Sequence, residues 1–193
     1  NCNMLGCIRL ALSLLLLSLV GLSQSVHGDV LKIPLYKITL TESVNLRCSS
    51  SEHEVPIPIP KRWKVNKAIL TFSYQNSAAL LKRTSQLEMV LNEVPLAQVR
   101  LDPLASKGTV KLDLPPLLLN ADFNTLKFRV AQHYGTQCED PCAPELWTRL
   151  ELDEAELEIE YEYRDIPLRI SAVSDFLFDP KIFPNAKLNI VTE

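Results

Sequence analysis

The chain reads as an all-β protein, a jelly-roll β-sandwich. Three observations predict it. Apolar and polar residues alternate at period two through most of residues 29–163, no stretch carries the period of a long amphipathic helix, and turn residues separate about eight such runs. Thirteen prolines against five glycines suggest stiff connections and edge strands more than glycine-rich phosphate loops.

The first segment is set apart from the rest. Arg9 precedes Leu10–Leu22, an apolar run of 13 residues. That is too short for a membrane-spanning helix, which needs ~20 residues, and it has the length of a signal-peptide core. Val26-His27-Gly28 offers a small-residue cleavage site, so residues 1–28 read as a signal peptide. Without them the chain carries 19 basic and 23 acidic residues, a net charge of -4 (19 minus 23). Such a balance supplies no basic stripe for nucleic acid.

From Asp29 the strands follow in order. Leu31, Ile33 and Leu35 alternate, and Tyr36, Ile38 and Leu40 continue in the opposite phase after Pro34; Val44, Leu46 and Cys48 come next. The run Val55-Pro-Ile-Pro-Ile-Pro60 reads as a loop, because proline denies a central strand its donors. Ala68, Leu70, Phe72 and Tyr74 form a strand, Ser77–Lys82 one short helical turn, and Leu87, Met89 and Leu91 a strand that Val94–Leu101 returns from. Val110, Leu112 and Leu114 follow, then Leu126, Phe128 and Val130 with Lys127 and Arg129 facing the other way. The last strand is the plainest: Ala155, Leu157, Ile159, Tyr161 and Tyr163 alternate with Glu154, Glu156, Glu158, Glu160 and Glu162. Carboxylates two apart along a strand do not converge as calcium's ligands must, so this row reads as a solvated face. Residues 29–163 thus form one domain. Residues 164–186 read as a linker, and 187–193 as the first strand of a truncated second domain.

Between the last two strands the alternation stops, over His133–Trp147. Long loops between strong strands commonly carry function. Cys138 and Cys142 lie four apart around Pro141, which makes them the disulfide candidates, with Cys48 the third cysteine of an exported chain. A zinc site from His133, Cys138, Cys142 and Asp140 is set aside, since exported cysteines favour disulfides; no metal or other cofactor is expected. No nucleophile elbow, phosphate loop or zinc-protease motif occurs. Glu139 and Asp140 are adjacent and tend to point apart, a poor start for a two-carboxylate hydrolase. Trp147, Tyr134 and Tyr74 offer flat aromatic faces of the kind that pack on sugar rings, and Gln137 and Asp140 offer hydroxyl-binding groups. These five are the carbohydrate-binding candidates.

His133-Tyr134, Cys138-Glu139-Asp140-Pro141 and Leu146-Trp147 resemble the signature of the cellulose synthase regulatory subunit family, the periplasmic B subunit. Phe72-Ser-Tyr74, Ser77–Leu81, Ser85, Leu91-Asn92, Asp122-Phe-Asn124 and Phe178-Asp-Pro180 agree with it. The resemblance implies a carbohydrate-binding-module-like jelly roll, followed by an α/β flavodoxin-like domain. It implies a non-enzymatic subunit that guides a β-1,4-glucan chain through the periplasm beside the catalytic subunit of cellulose synthase. A C-terminal anchor beyond this fragment would hold it to the bacterial inner membrane. Family members are often labelled cyclic di-GMP-binding, but no motif for that nucleotide is present here. Two departures stand out: Cys142 is outside the pattern, and Glu93 replaces the glycine after Asn92, which works against a tight primed hairpin turn. The alternatives are a periplasmic scaffold that associates with copies of itself without touching sugar, and an exported carbohydrate-active enzyme.

Overall fold

The computed structural model describes residues 28–165. The expected leader up to His27, the linker beyond Asp165 and the strand expected at 187–193 lie outside the described residues. Nine strands form two antiparallel sheets: β1 (Asp29–Pro34), β2 (Ser43–Arg47), β3 (Ser50–Ile59), β4 (Trp63–Asn76), β5 (Gln86–Leu91), β6 (Val94–Arg100), β7 (Lys107–Asp113), β8 (Asp122–Ala131) and β9 (Trp147–Tyr163). One sheet runs β1-β9-β4-β7, with β2 pairing the other half of β9; the second runs β3-β8-β5-β6. The fold is an all-β jelly-roll sandwich.

Strands β4 and β9 organise the first sheet because they are long enough, at 14 and 17 residues, to pair with each other and hold the other three strands, β1, β2 and β7. Their inward positions are Ala68, Leu70, Phe72 and Tyr74 on β4, and Leu150, Leu152, Leu157 and Ile159 on β9, all buried. Leu87, Met89, Leu126, Phe128 and Val130 answer from the second sheet. Phe72 meets Phe128 edge-to-face across the core, with ring centroids 5.0 Å apart. The glutamate row of β9 points outward as the alternation requires. Lys32 from β1 bridges Glu156 at 3.1 Å and Glu158 at 3.0 Å, while Lys64 from β4 bridges Glu162 at 3.4 Å.

Four local expectations are corrected. The proline run is a strand, since β3 pairs with β8 in unbroken register from Ser50 to Ile59. Pro56 and Pro58 are two apart, so their donor-less nitrogens share one side of the strand. Among the described residues β8 is the only strand paired with β3, so that side is its open edge there, where a missing donor costs no ladder bond. Tyr36–Thr39 is a short helix, α1, rather than strand, and it closes on Leu40 at φ 55°. Residues 77–82 form turns, anchored by the Leu81 N–H on the His133 carbonyl at 2.7 Å, instead of a helical turn. Asn92 and Glu93 do make a tight primed turn, both with positive φ (48° and 67°), so Leu91 pairs directly with Val94.

What holds Glu93 there is its neighbour. The Asn92 amide donates to the Leu118 carbonyl at 2.7 Å and to Asn124 Oδ1 at 2.8 Å, and its oxygen accepts from the Thr125 N–H at 3.0 Å. Asn124, itself buried, donates to the carbonyls of Ile57 and Asn120. The two asparagines that carry part of the family resemblance therefore tie one end of the sandwich together.

Candidate functional site

At the other end of the sandwich the β8–β9 loop folds back on itself. The Glu139 carboxylate accepts the backbone N–H groups of Tyr134 and Gly135, both at 3.1 Å, and its second oxygen contacts His133 Nδ1. Those donors, His133 first, hold the Glu139 carboxyl below the usual carboxylate range. The Tyr134 hydroxyl accepts from the Asp140 N–H at 2.9 Å, and Asp140 Oδ1 accepts from the Cys142 N–H at 3.0 Å. Each of these bonds satisfies a turn donor that has no strand partner. Gln132, fully buried, secures the loop's start. Its amide donates to the carbonyls of Leu46 (3.1 Å) and Cys48 (2.7 Å) and accepts from the Thr148 hydroxyl (2.9 Å).

The disulfide runs from Cys48 to Cys142, a separation of 94 residues, and Cys138 is a free, exposed thiol. The expected Cys138–Cys142 bridge is thereby overturned. The reason is the β2–β3 corner: Cys48 turns at φ 68°, its N–H bonds the Leu146 carbonyl, and the Ser49 N–H bonds the Pro141 carbonyl at 2.6 Å. That corner sets Cys48 against Cys142. In the chain-entropy picture, closing so long a loop stabilises the fold by roughly 4–5 kcal/mol, against about 2 for the local bridge.

The five expected sugar contacts are thus scattered by the fold. Tyr134 and Asp140 bond each other, Gln137 is exposed at the loop's tip, and Tyr74 is 7% exposed with its ring in the core. Trp147 is partly exposed, because Thr148 and Leu150 take the inward positions and turn it outward. It lines an open hollow of about 410 Å³ on the outer face of the first sheet, with Asn45, Arg47, Gln75, Pro144 and Arg149. Arg149 is paired with Glu151 at 2.9 Å. These polar residues were missed because each looks like an ordinary solvated strand position; only the pairing of β2, β9 and β4 brings them together.

Among the described residues no group of three or more His, Cys, Asp and Glu side chains is placed to hold a metal ion. Nor is any helix there long and apolar enough to cross a membrane.

Comparison with known proteins completes the picture. The family described as "Cellulose synthase BcsB, first CBM domain" matches residues 29–163. A "Cyclic di-GMP-binding protein" of Pseudomonas fluorescens (strain SBW25) is 31% identical over 170 residues, 80% of this chain and 22% of that protein. "Cellulose synthase 2" of Novacetimonas hansenii is 31% identical over 111 residues, 57% of this chain and 7% of that protein. The chain thus spans about a fifth, or less, of the length of these relatives. A family 35 carbohydrate binding module from an environmental isolate superposes with a TM-score of 0.37 at 10% identity, covering 63% of this chain and 75% of that one. At that level the likeness carries no functional weight. The family match, covering the whole sandwich, does: this chain belongs to the cellulose synthase BcsB family and contains its first CBM domain.

Proposed function

We propose that this domain is a non-catalytic, periplasmic part of a cellulose synthase complex, where it holds the emerging β-1,4-glucan weakly and guides it away from the membrane catalytic subunit. The hollow around Trp147 carries the reading. A neutral polymer is held by apolar stacking and by hydrogen bonds to its hydroxyl groups, and this hollow supplies both. Trp147 offers the ring, and Asn45, Arg47 and Gln75 offer polar groups for which no side-chain partner appears among the described residues. Stacking on one aromatic ring is worth ~1–3 kcal/mol by analogy with nucleic-acid bases. A site with one such ring gives millimolar affinity, which suits a guide, since a growing chain must slide past it.

The test is an NMR titration of the whole ¹⁵N-labelled chain with cello-oligosaccharides. We expect the amides around Trp147 and Arg149 to shift at millimolar sugar. If no amide on this face responds at high millimolar concentration, the domain is a scaffold and Trp147 is only partly covered core.

A further inference from the structure

The outer face of the first sheet does not end at the Trp147 hollow. A second hollow of about 420 Å³ lies over β4 and β7, and Ser73, Gln75, Lys107, Thr109 and Glu151 are among the residues that line it. Gln75 lines both hollows. The pairing registers explain why. Asn45 faces Arg149, Arg149 faces Gln75, and Gln75 faces Lys107, so these four side chains form one row across β2, β9, β4 and β7. Three inter-strand gaps make that row ~14 Å long.

We infer that one unbranched, extended β-linked glucan occupies both hollows, crossing the strands along this row with Gln75 under its middle. The inference rests on the glucan reading given above and extends it to a site of defined direction and linkage preference. The two hollows divide the chemistry of a sugar chain. At one end Trp147 meets a ring face. At the other the Ser73 and Thr109 hydroxyls, 3.1 Å apart, together with Glu151 meet the hydroxyl edge.

A straight row also selects for linkage. A β-1,4 chain keeps successive rings in line, whereas an α-1,4 chain curves off the row after its first residues.

A ligand that spans both hollows makes its second contact intramolecularly, so affinity rises steeply once the chain is long enough. We therefore titrate cellobiose, cellotetraose, cellohexaose and maltohexaose into the whole chain and read amide shifts. Cellohexaose should bind about tenfold tighter than cellobiose or more, with shifts at Trp147, Gln75 and Thr109 together, and maltohexaose should bind no tighter than cellobiose. Thr109→Arg, at an exposed position, should bring cellohexaose down to the affinity of cellobiose.

If cellohexaose shifts only the Trp147 side, or keeps its advantage in Thr109→Arg, the two-hollow site is wrong while the glucan reading stands. Equal binding of maltohexaose overturns the straight row. Silence of both hollows to every sugar removes this inference together with the function proposed above.

Discussion

Within the β8–β9 loop, His133, Tyr134, Glu139, Asp140 and Cys142 all have partners in the protein, and most of those partners belong to the loop itself. On the outer face of the first sheet, Asn45, Arg47, Gln75 and Lys107 have no side-chain partner among the described residues. The loop holds the residues that look like chemistry, and the face holds the residues that are free to do it. The difference follows from backbone geometry. A strand satisfies its own N–H and C=O groups through the ladder, so its outward side chains are left over for ligands. A long turn has no ladder, and its polar side chains are drawn into closing it.

The largest effect that separates the two regions is on stability. Cys142→Ser removes the bridge to Cys48 and should lower the unfolding free energy by about 4 kcal/mol, as for a loop of this length. Cys138→Ser should cost almost nothing, because that thiol is exposed and unbridged. Denaturant unfolding of both variants under non-reducing conditions checks the pair. An equal loss in the two would mean that Cys138 shares the bridge.

Trp147→Ala should do the reverse. We expect unchanged unfolding, within about 1 kcal/mol for a partly exposed side chain, and a loss of ~1–3 kcal/mol in cello-oligosaccharide binding. A variant that unfolds early and binds normally would move Trp147 from the face to the core.

Acid reaches the loop through Glu139. Its carboxyl is held below the ordinary value of 4.5, chiefly by the His133 hydrogen bond and then by the N–H groups of Gly135 and Tyr134. A depressed folded-state value means the stabilisation is complete above the ordinary glutamate range and is lost as pH falls through the lowered value. Amide exchange at Tyr134 and Gly135 should therefore quicken at that acid step, and Glu139→Gln should abolish the step. If the step persists in Glu139→Gln, another group is responsible.

How much of this was legible in the sequence depends on whether a feature is local. Strands such as Leu126–Val130 and Ala155–Tyr163 could be read because alternation is a property of neighbouring residues. The proline run could not, because Pro56 and Pro58 are excluded from a central strand but tolerated at an edge, and only topology says which β3 is. The Cys48–Cys142 bridge was hidden for the same reason: β2 must pair with β9 before Cys48 meets the loop. Trp147 was visible as a candidate through its residue type. Asn45, Arg47, Gln75 and Arg149 were not, since a polar side chain on an outward strand position carries no signal until β2, β9 and β4 align it. The Asn92-Glu93 turn shows the converse, a local rule overridden when Asn92 is fixed by Leu118, Asn124 and Thr125.

The finest test of the comparison is Tyr134. Its ring packs against the core while its hydroxyl accepts the Asp140 N–H at 2.9 Å, so the residue has both a structural role and the aromatic face that made it a sugar candidate. Tyr134→Phe keeps the ring and removes only the hydroxyl. A neutral intramolecular hydrogen bond contributes about 1 kcal/mol net, and the Asp140 N–H lies at an exposed residue where water can replace the lost acceptor. We therefore expect a destabilisation of about 1 kcal/mol or less, faster exchange at the Asp140 amide, and cello-oligosaccharide affinity equal to that of the unaltered chain. The hydroxyl already has its partner inside the loop, and the hollow around Trp147 is lined without Tyr134. A drop in affinity with no change in stability would bring Tyr134 into the binding surface and erase the division between loop and face.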